Sequence, residues 1–97
     1  MSINLDRQEA YLKDKKLDLT PKELKLLIFL TQKAGKVVSV PEILRSVWGS
    51  LGYSEESVKW HIASLRRKIE NEPHNPKLIL TVWGSGYRYE RQLAEAA

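Results

Sequence analysis

The sequence predicts an α+β fold in which an N-terminal antiparallel sheet is followed by three helices and a C-terminal β-hairpin. Apolar and polar residues alternate within residues 1–19, three helix-start signals begin at Thr20, Ser39 and Ser54, and residues 78–89 are β-rich around a glycine turn. The chain has 97 residues, of which 42% are apolar. That length and composition suit a single hydrophobic core, so one domain is expected.

The N-terminal sheet is predicted from three short stretches. Apolar residues alternate with polar ones in residues 3–6, 10–12 and 17–19, and the charged residues 13–16 separate the last two stretches. A period of two is typical of strands that bury one face. We therefore expect a small antiparallel meander with polar turns.

Two helices with the same start signal are predicted to follow the sheet. Thr20 and Ser39 are the expected caps, and each is followed by a proline and a glutamate in the first turn, as in a capping box. The first helix should run from residue 21 to about residue 33, and the second, shorter helix should end at residues 48–49. The valines at positions 37–38 are expected to form an extended link between them.

The third helix is predicted over about residues 54–70. Ser54 can cap it, and Glu55 and Glu56 in its first turn favour the positive end of the helix dipole. Four apolar residues recur at helical spacing and should face the core: Val58, Ile62, Leu65 and Ile69.

The opposite face of this helix is small, polar and basic around one tryptophan. It holds Ser57, Trp60, His61, Ala63, Ser64, Arg67 and Lys68, with Lys59 and Arg66 on one flank. Basic side chains can meet phosphates and small ones allow close approach, so this face suits the major groove of DNA. Two alternatives stay open: Trp60 packs on a neighbouring element, and His61 is structural or simply exposed.

The C-terminal hairpin is predicted to turn at residues 84–86. A short ribbon with basic flanks beside a DNA-reading helix can reach the adjacent minor groove or the backbone. In the alternative interpretation, the aromatic residues Trp83, Tyr87 and Tyr89 cover the core.

The net charge of +4 indicates a polyanionic partner. Residues 1–56 sum to +1, residues 57–91 to +4 and residues 92–97 to −1, so the excess lies with the third helix and the hairpin. A charged helix face is also typical of an ordinary solvated surface.

The chain has no cysteine and two histidines, so neither disulfides nor a structural zinc site is expected.

Catalysis, cofactors and membrane contact are not expected. No spacing unites a nucleophile, an oriented base and an oxyanion site, and no metal ligand set occurs at helical spacing. No apolar stretch approaches the length that crosses a bilayer. The segment is expected to be soluble and cytoplasmic.

Four ordered motifs resemble one known family. They are residues 19–24 (LTPKEL), 47–49 (VWG), 57–69 (SVKWHIASLRRKI) and 81–88 (TVWGSGYR). Together they resemble the winged-helix effector domain of OmpR/PhoB-type response regulators. The resemblance implies a winged helix-turn-helix with a four-stranded N-terminal sheet (1–19), three helices (20–72), a wing (73–91) and a tail (92–97).

The resemblance also implies a function in transcription. Such domains bind double-stranded DNA at direct repeats as homodimers, with the third helix in the major groove and the wing (78–89) on the minor groove or backbone. In such regulators an N-terminal receiver domain is phosphorylated on an aspartate. Here we expect either that a receiver precedes Met1 or that this winged helix comes first and other domains follow. A loop facing RNA polymerase would comprise Ser50, Leu51, Gly52 and Tyr53.

Residue roles follow from the same resemblance. The expected DNA-binding residues are Trp48, Ser57, Lys59, Trp60, His61, Ser64, Arg66, Arg67, Lys68, Thr81, Trp83 and Tyr87. Backbone contacts are implied for Trp48, Ser57, His61, Arg66 and Tyr87, a wing contact for Thr81, and a base-facing position for Trp60.

The chain departs from the family pattern where arginines are usual. Glu56, Ala63, Ser64 and Trp83 stand at those positions, and Lys59 replaces an aspartate. Loss of arginine contacts to guanine should change which bases are read. An alternative function is a winged-helix protein-interaction module with weak or no DNA binding, in which Trp60 and Trp83 form an exposed aromatic patch.

Overall fold

Residues 1–50 and 52–90 form two three-stranded sheets and three helices, the second of which continues as a π-helical segment. A computed structural model describes residues 1–50 and 52–90, so Leu51, Arg91 and the predicted tail 92–97 lie outside the described residues. In chain order the elements are β1 (Ser2–Asn4), β2 (Glu9–Leu12), β3 (Lys15–Lys16), α1 (Pro21–Gln32), β4 (Val37–Val38), α2 (Val40–Ile43), a π-helical segment (Leu44–Trp48), α3 (Glu55–Ile69), β5 (Ile79–Val82) and β6 (Gly86–Tyr89). The α+β prediction is confirmed.

The N-terminal sheet has the antiparallel order β1-β2-β3. The turn between β2 and β3 is formed by Lys13 and Asp14, whose φ angles of 52° and 65° are typical of a two-residue hairpin turn. The expectation of a fourth strand is wrong, and so is that of a strand at residues 17–19. Leu17 donates one hydrogen bond to the carbonyl of Ala10 (2.9 Å), and the alternating residues there pack on the core instead of pairing.

Helix α1 begins with the predicted capping box. The backbone N–H of Glu23 donates to Thr20 Oγ1 (3.2 Å), and the N–H of Thr20 donates to Glu23 Oε1 (2.9 Å). These bonds satisfy donors that the first helical turn leaves open. The inner face of the helix is buried through Leu24, Leu26, Leu27 and Leu30.

The second helix starts and ends where the sequence predicts, but only one of the two bonds of the capping box expected at Ser39 is present. Ser39 Oγ accepts a bond from the N–H of Glu42 (3.2 Å), and Gly49 ends the helical path with a φ of 78°. The sequence did not indicate the wider π-helical turn at Leu44–Trp48. There the N–H of Gly49 bonds to the carbonyl of Leu44, five residues back.

Helix α3 and the C-terminal hairpin are joined to the rest of the fold through the core. The predicted stripe of α3 is buried: Val58, Ile62, Leu65 and Ile69. The predicted hairpin is confirmed, but Val37–Val38 is a strand that pairs with β6, so the second sheet has the order β4-β6-β5. A Cβ on Gly86 would lie 1.9 Å from the carbonyl oxygen of Val38, so glycine is required for this close approach.

Candidate nucleic-acid interface

The outward face of α3 presents one large apolar ring among polar side chains. Trp60 is 73% exposed, so the expectation that it packs on a neighbouring element is not met. Lys59, Ala63 and Arg67 are also exposed, and Ser57 is half-buried. This face can therefore offer both charge and an apolar surface to a partner.

The half-buried His61 is held on one edge of this face by two contacts. Its ring packs edge-on against Trp48, with centroids 5.1 Å apart and planes at 89°, and its Nδ1 lies 2.7 Å from the carbonyl oxygen of Ser57. Because a carbonyl oxygen only accepts, Nδ1 carries the proton, and Nε2 is an acceptor in the neutral ring or a donor in the imidazolium. The ammonium of Lys22 lies 5.1 Å from the Trp48 ring centroid and adds positive charge beside it.

A buried carboxylate connects α1 to the C-terminal half of α3. Lys68 Nζ donates to Glu23 Oε1 (2.6 Å), and the hydroxyl of Ser64 donates to Glu23 Oε2. Burial raises the pKa of Glu23, but the bonds from Lys68, Ser64 and the Thr20 backbone outweigh it and lower the pKa to about 2. The polar groups of Ser64 and Lys68, both predicted DNA contacts, are thus engaged within the domain.

Arg66 connects α3 to the hairpin. Its Nε and Nη2 donate to the carbonyl oxygen of Ile79 (3.1 and 2.8 Å), and Nη2 also donates to Thr81 Oγ1 (2.9 Å). The guanidinium lies 5.8 Å from the ring centroid of Tyr87, which is buried, and burial raises the pKa of that phenol. The predicted contact residues Arg66, Thr81 and Tyr87 therefore hold one another in place.

Glu70 fixes the start of the hairpin strand. This buried carboxylate accepts hydrogen bonds from the backbone N–H groups of Lys77, Leu78 and Ile79 at 2.8 to 3.1 Å. Sequence reasoning missed both Glu23 and Glu70 as organising residues. The capping-box position was a signal for Glu23, whereas no sequence pattern indicated the partners of Glu70.

The tip of the hairpin carries Trp83, which is 90% exposed. The core-covering alternative is correct for Tyr87 and Tyr89, which are buried, and wrong for Trp83. Trp83 and Trp60 do not pair: among residues 1–50 and 52–90 the ring pair is that of Trp48 and His61. The two exposed tryptophans are separate features of the surface.

The loop before α3 is only partly described. Ser50 Oγ accepts a bond from the N–H of Gly52 (3.0 Å), and Tyr53 is exposed. Leu51, predicted with them to face the polymerase, lies outside the described residues.

In the described part of the chain, no cluster of three potential metal-ligating side chains occurs. No helix in that part has the length and apolarity needed to cross a bilayer.

Comparison with known proteins decides the family. Residues 14–89 match the family model described as "Transcriptional regulatory protein, C terminal". The chain belongs to this family. The outward face of α3 around Trp60 and the C-terminal hairpin, or wing, are therefore parts of a transcriptional regulatory C-terminal domain.

Related proteins extend the match to most of the chain. The regulatory protein VanR of Enterococcus faecium is 40% identical over 91 residues, which are 92% of this chain and 39% of VanR. The response regulator DrrB of Thermotoga maritima, an OmpR/PhoB homolog, has a TM-score of 0.83 at 35% identity over 91% of this chain and 40% of DrrB. The chain thus spans about two fifths of the length of these relatives, and its resemblance to OmpR/PhoB-type regulators is confirmed.

A third relative was solved with its ligand. The DNA-binding domain of the response regulator AdeR, in complex with an intercistronic region, has a TM-score of 0.81 at 29% identity. The match covers 92% of both chains. The same winged-helix fold therefore carries DNA binding in that protein.

Proposed function

We propose that this domain binds double-stranded DNA and regulates transcription, with α3 in the major groove and the wing on the adjacent minor groove or backbone. The observation that carries the proposal is the Arg66 connection, which holds the wing against α3. The AdeR domain, solved on DNA, supports it. A helix and a ribbon held side by side can read two neighbouring grooves.

Roles on this surface divide into direct and indirect ones. We assign direct contacts to Trp48, Ser57, Lys59, Trp60, His61, Arg67 and Trp83, whose side chains are exposed or half-buried. We assign a supporting role to the residues whose side chains connect α3 to α1 or to the wing, the exposed Lys68 included: Ser64, Arg66, Lys68, Thr81 and Tyr87. The protein-interaction alternative is less well supported because Trp60 and Trp83 do not form the continuous patch that it needs.

The rest of the regulator is proposed from the lengths of its relatives. VanR is long enough to hold a second domain beside the matched segment, which is 39% of its length. We propose a receiver domain outside this segment, homodimers on direct-repeat sites and a cytoplasmic location. We further propose that the loop containing Ser50, Gly52 and Tyr53 faces RNA polymerase.

Fluorescence anisotropy with labelled duplexes tests the DNA function. The logarithm of the binding constant should fall linearly with the logarithm of the salt concentration, because cations released from DNA drive the association. Arg67→Ala should weaken binding to every duplex and reduce the salt slope by about 1, for one lost phosphate contact. Lys33→Ala is the control, because Lys33 is exposed at the far end of α1. Failure of the wild-type domain to bind any duplex at low salt would contradict the proposal.

A further inference from the structure

We propose that Trp83 is an apolar wedge that enters the DNA minor groove and partly unstacks one base step. The inference deepens the DNA-binding function proposed above and rests on it. Trp83 is 90% exposed at the tip of the wing, which is unusual for a large aromatic ring. Apolar side chains inserted from the minor groove are an established way of kinking a duplex.

The tip that carries Trp83 is well supported by backbone contacts. The N–H of Ser85 donates to the carbonyl of Val82 (2.9 Å), and Gly84 takes a φ of 80° to close the turn. Below the tip, Val82 pairs with Gly86, and Gly86 lies directly against the carbonyl of Val38 in β4. The backbone of this turn therefore needs little further ordering on binding, and the entropic cost is confined mainly to the rotamers of Trp83 itself.

The Arg66 connection places this tip beside the groove that α3 does not occupy. The bonds from Arg66 to Ile79 and Thr81 of β5 couple the position of the wing to that of the helix. The major and minor grooves are neighbours across one sugar–phosphate strand, so a helix in the first brings an adjacent wing to the second. The minor groove is about 6 Å wide and admits a thin, flat ring on a narrow tip.

The chemistry of indole decides what the contact can do. Trp83 carries no charge, so it cannot attract phosphates or the negative potential of a narrow groove as an arginine does. Its faces can stack on a base or pack on deoxyribose. Pyrimidine–purine steps unstack most easily, so the ring should favour sites with such a step under the wing.

DNA suits this ring better than a protein surface does. Gly84 and Ser85, which follow Trp83 on the tip, are small and exposed, and Val82 before it is half-buried, so these neighbours add little apolar surface to the ring. Protein interfaces are built on contiguous patches, whereas a groove accepts a single projecting ring.

The test uses a duplex that the wild-type chain selects from a randomised pool. With 2-aminopurine placed at each step of that duplex in turn, fluorescence should rise on binding at one step under the wing. Fluorescence energy transfer between the duplex ends should report a bend of about 20° or more. Trp83→Ala should abolish both signals and weaken binding about tenfold. Ser85→Ala is the matched control on the same turn and should preserve both signals.

Each outcome separates the wedge from the DNA function. If the wild type binds and Trp83→Ala binds equally well with the same bend, the wedge is wrong and the DNA function stands. Trp83→Arg should bind without the bend and with a steeper salt slope, whereas a bend that survives this change would also overturn the wedge. If the wild type selects no duplex at all, both proposals fail.

Discussion

The two halves of α3 present their polar side chains in opposite ways. In the N-terminal half, residues 55–62, Lys59 and Trp60 project into solvent. In the C-terminal half, residues 63–69, Ser64 and Lys68 are bonded to Glu23, and Arg66 is bonded to the wing. Arg67 is the exception, because it is exposed and is bonded to no other side chain among the described residues. The first half is therefore suited to reading DNA, and the second half mainly fixes the helix in the domain.

This difference changes the meaning of the charge excess. Residues 57–91 sum to +4, but Lys68 neutralises the buried Glu23 and Arg66 is directed at the wing. Among the cations of α3, this leaves Lys59 and Arg67 for phosphates. We therefore expect modest electrostatic affinity, and specificity that depends more on Trp60 and Trp83 than on arginine.

The largest expected effect comes from removing the anchor of the C-terminal half. Glu23→Ala deletes a buried carboxylate and leaves Lys68 and Ser64 without their partner. Breaking a buried charged network typically costs about 3 to 5 kcal/mol, and partial exposure of Lys68 should reduce this to about 2 to 4 kcal/mol. Urea unfolding followed by circular dichroism measures the change.

Glu42 provides the matched control for that variant. It follows Ser39 as Glu23 follows Thr20, and it is half-buried at the same position of α2. Glu42→Ala should cost less than about 1 kcal/mol, since it alters the first helical turn alone. Equal losses from the two variants would show that the connection between α1 and α3 contributes little to stability.

Acid should weaken the same anchor. The pKa of Glu23 is about 2 in the folded domain, below its ordinary value of 4.5, so its contribution is fully present above pH 4.5 and is lost as the pH falls toward 2. The shift corresponds to at most about 3 kcal/mol, less the screening through Lys68, whose side chain is 33% exposed. Unfolding free energies of wild type and Glu23→Gln between pH 6 and pH 2 should converge, and parallel curves would contradict the assignment.

A smaller effect is expected where α3 meets the wing. Arg66→Lys keeps the charge but loses the planar donor pattern that serves Ile79 and Thr81 together. We expect a loss of about 1 to 2 kcal/mol in stability and faster amide hydrogen exchange in β5 and β6. Arg45→Lys, at an exposed site on the π-helical segment, is the control. Unchanged exchange in the wing would mean that the sheet alone positions it.

The sequence predicted what depends on local signals and missed what depends on distant pairs. The caps at Thr20, Ser39 and Ser54 were predictable because each bonds to a residue three positions away. The contact of Glu23 with Lys68 spans 45 residues and that of Arg66 with Ile79 spans 13. Contacts at such separations produce no periodic pattern in the sequence. The predicted strand at residues 17–19 was wrong for a related reason, because apolar and polar residues also alternate where a segment packs on the core without forming a strand. The division of residues 1–97 into sheet, helices, wing and tail as one domain stays a prediction.

The smallest effect is expected at the start of α3. Glu55 and Glu56 are exposed beside the proposed DNA surface, and they favour the helix dipole but repel phosphates. Glu56→Gln should therefore tighten duplex binding about two- to threefold at low salt, and the gain should shrink as salt screens the repulsion. Anisotropy titrations at several salt concentrations measure this, with Glu72→Gln as an exposed control beyond the other end of the helix. A gain that does not depend on salt, or one that Glu72→Gln reproduces, would place the exposed half of α3 away from the DNA backbone.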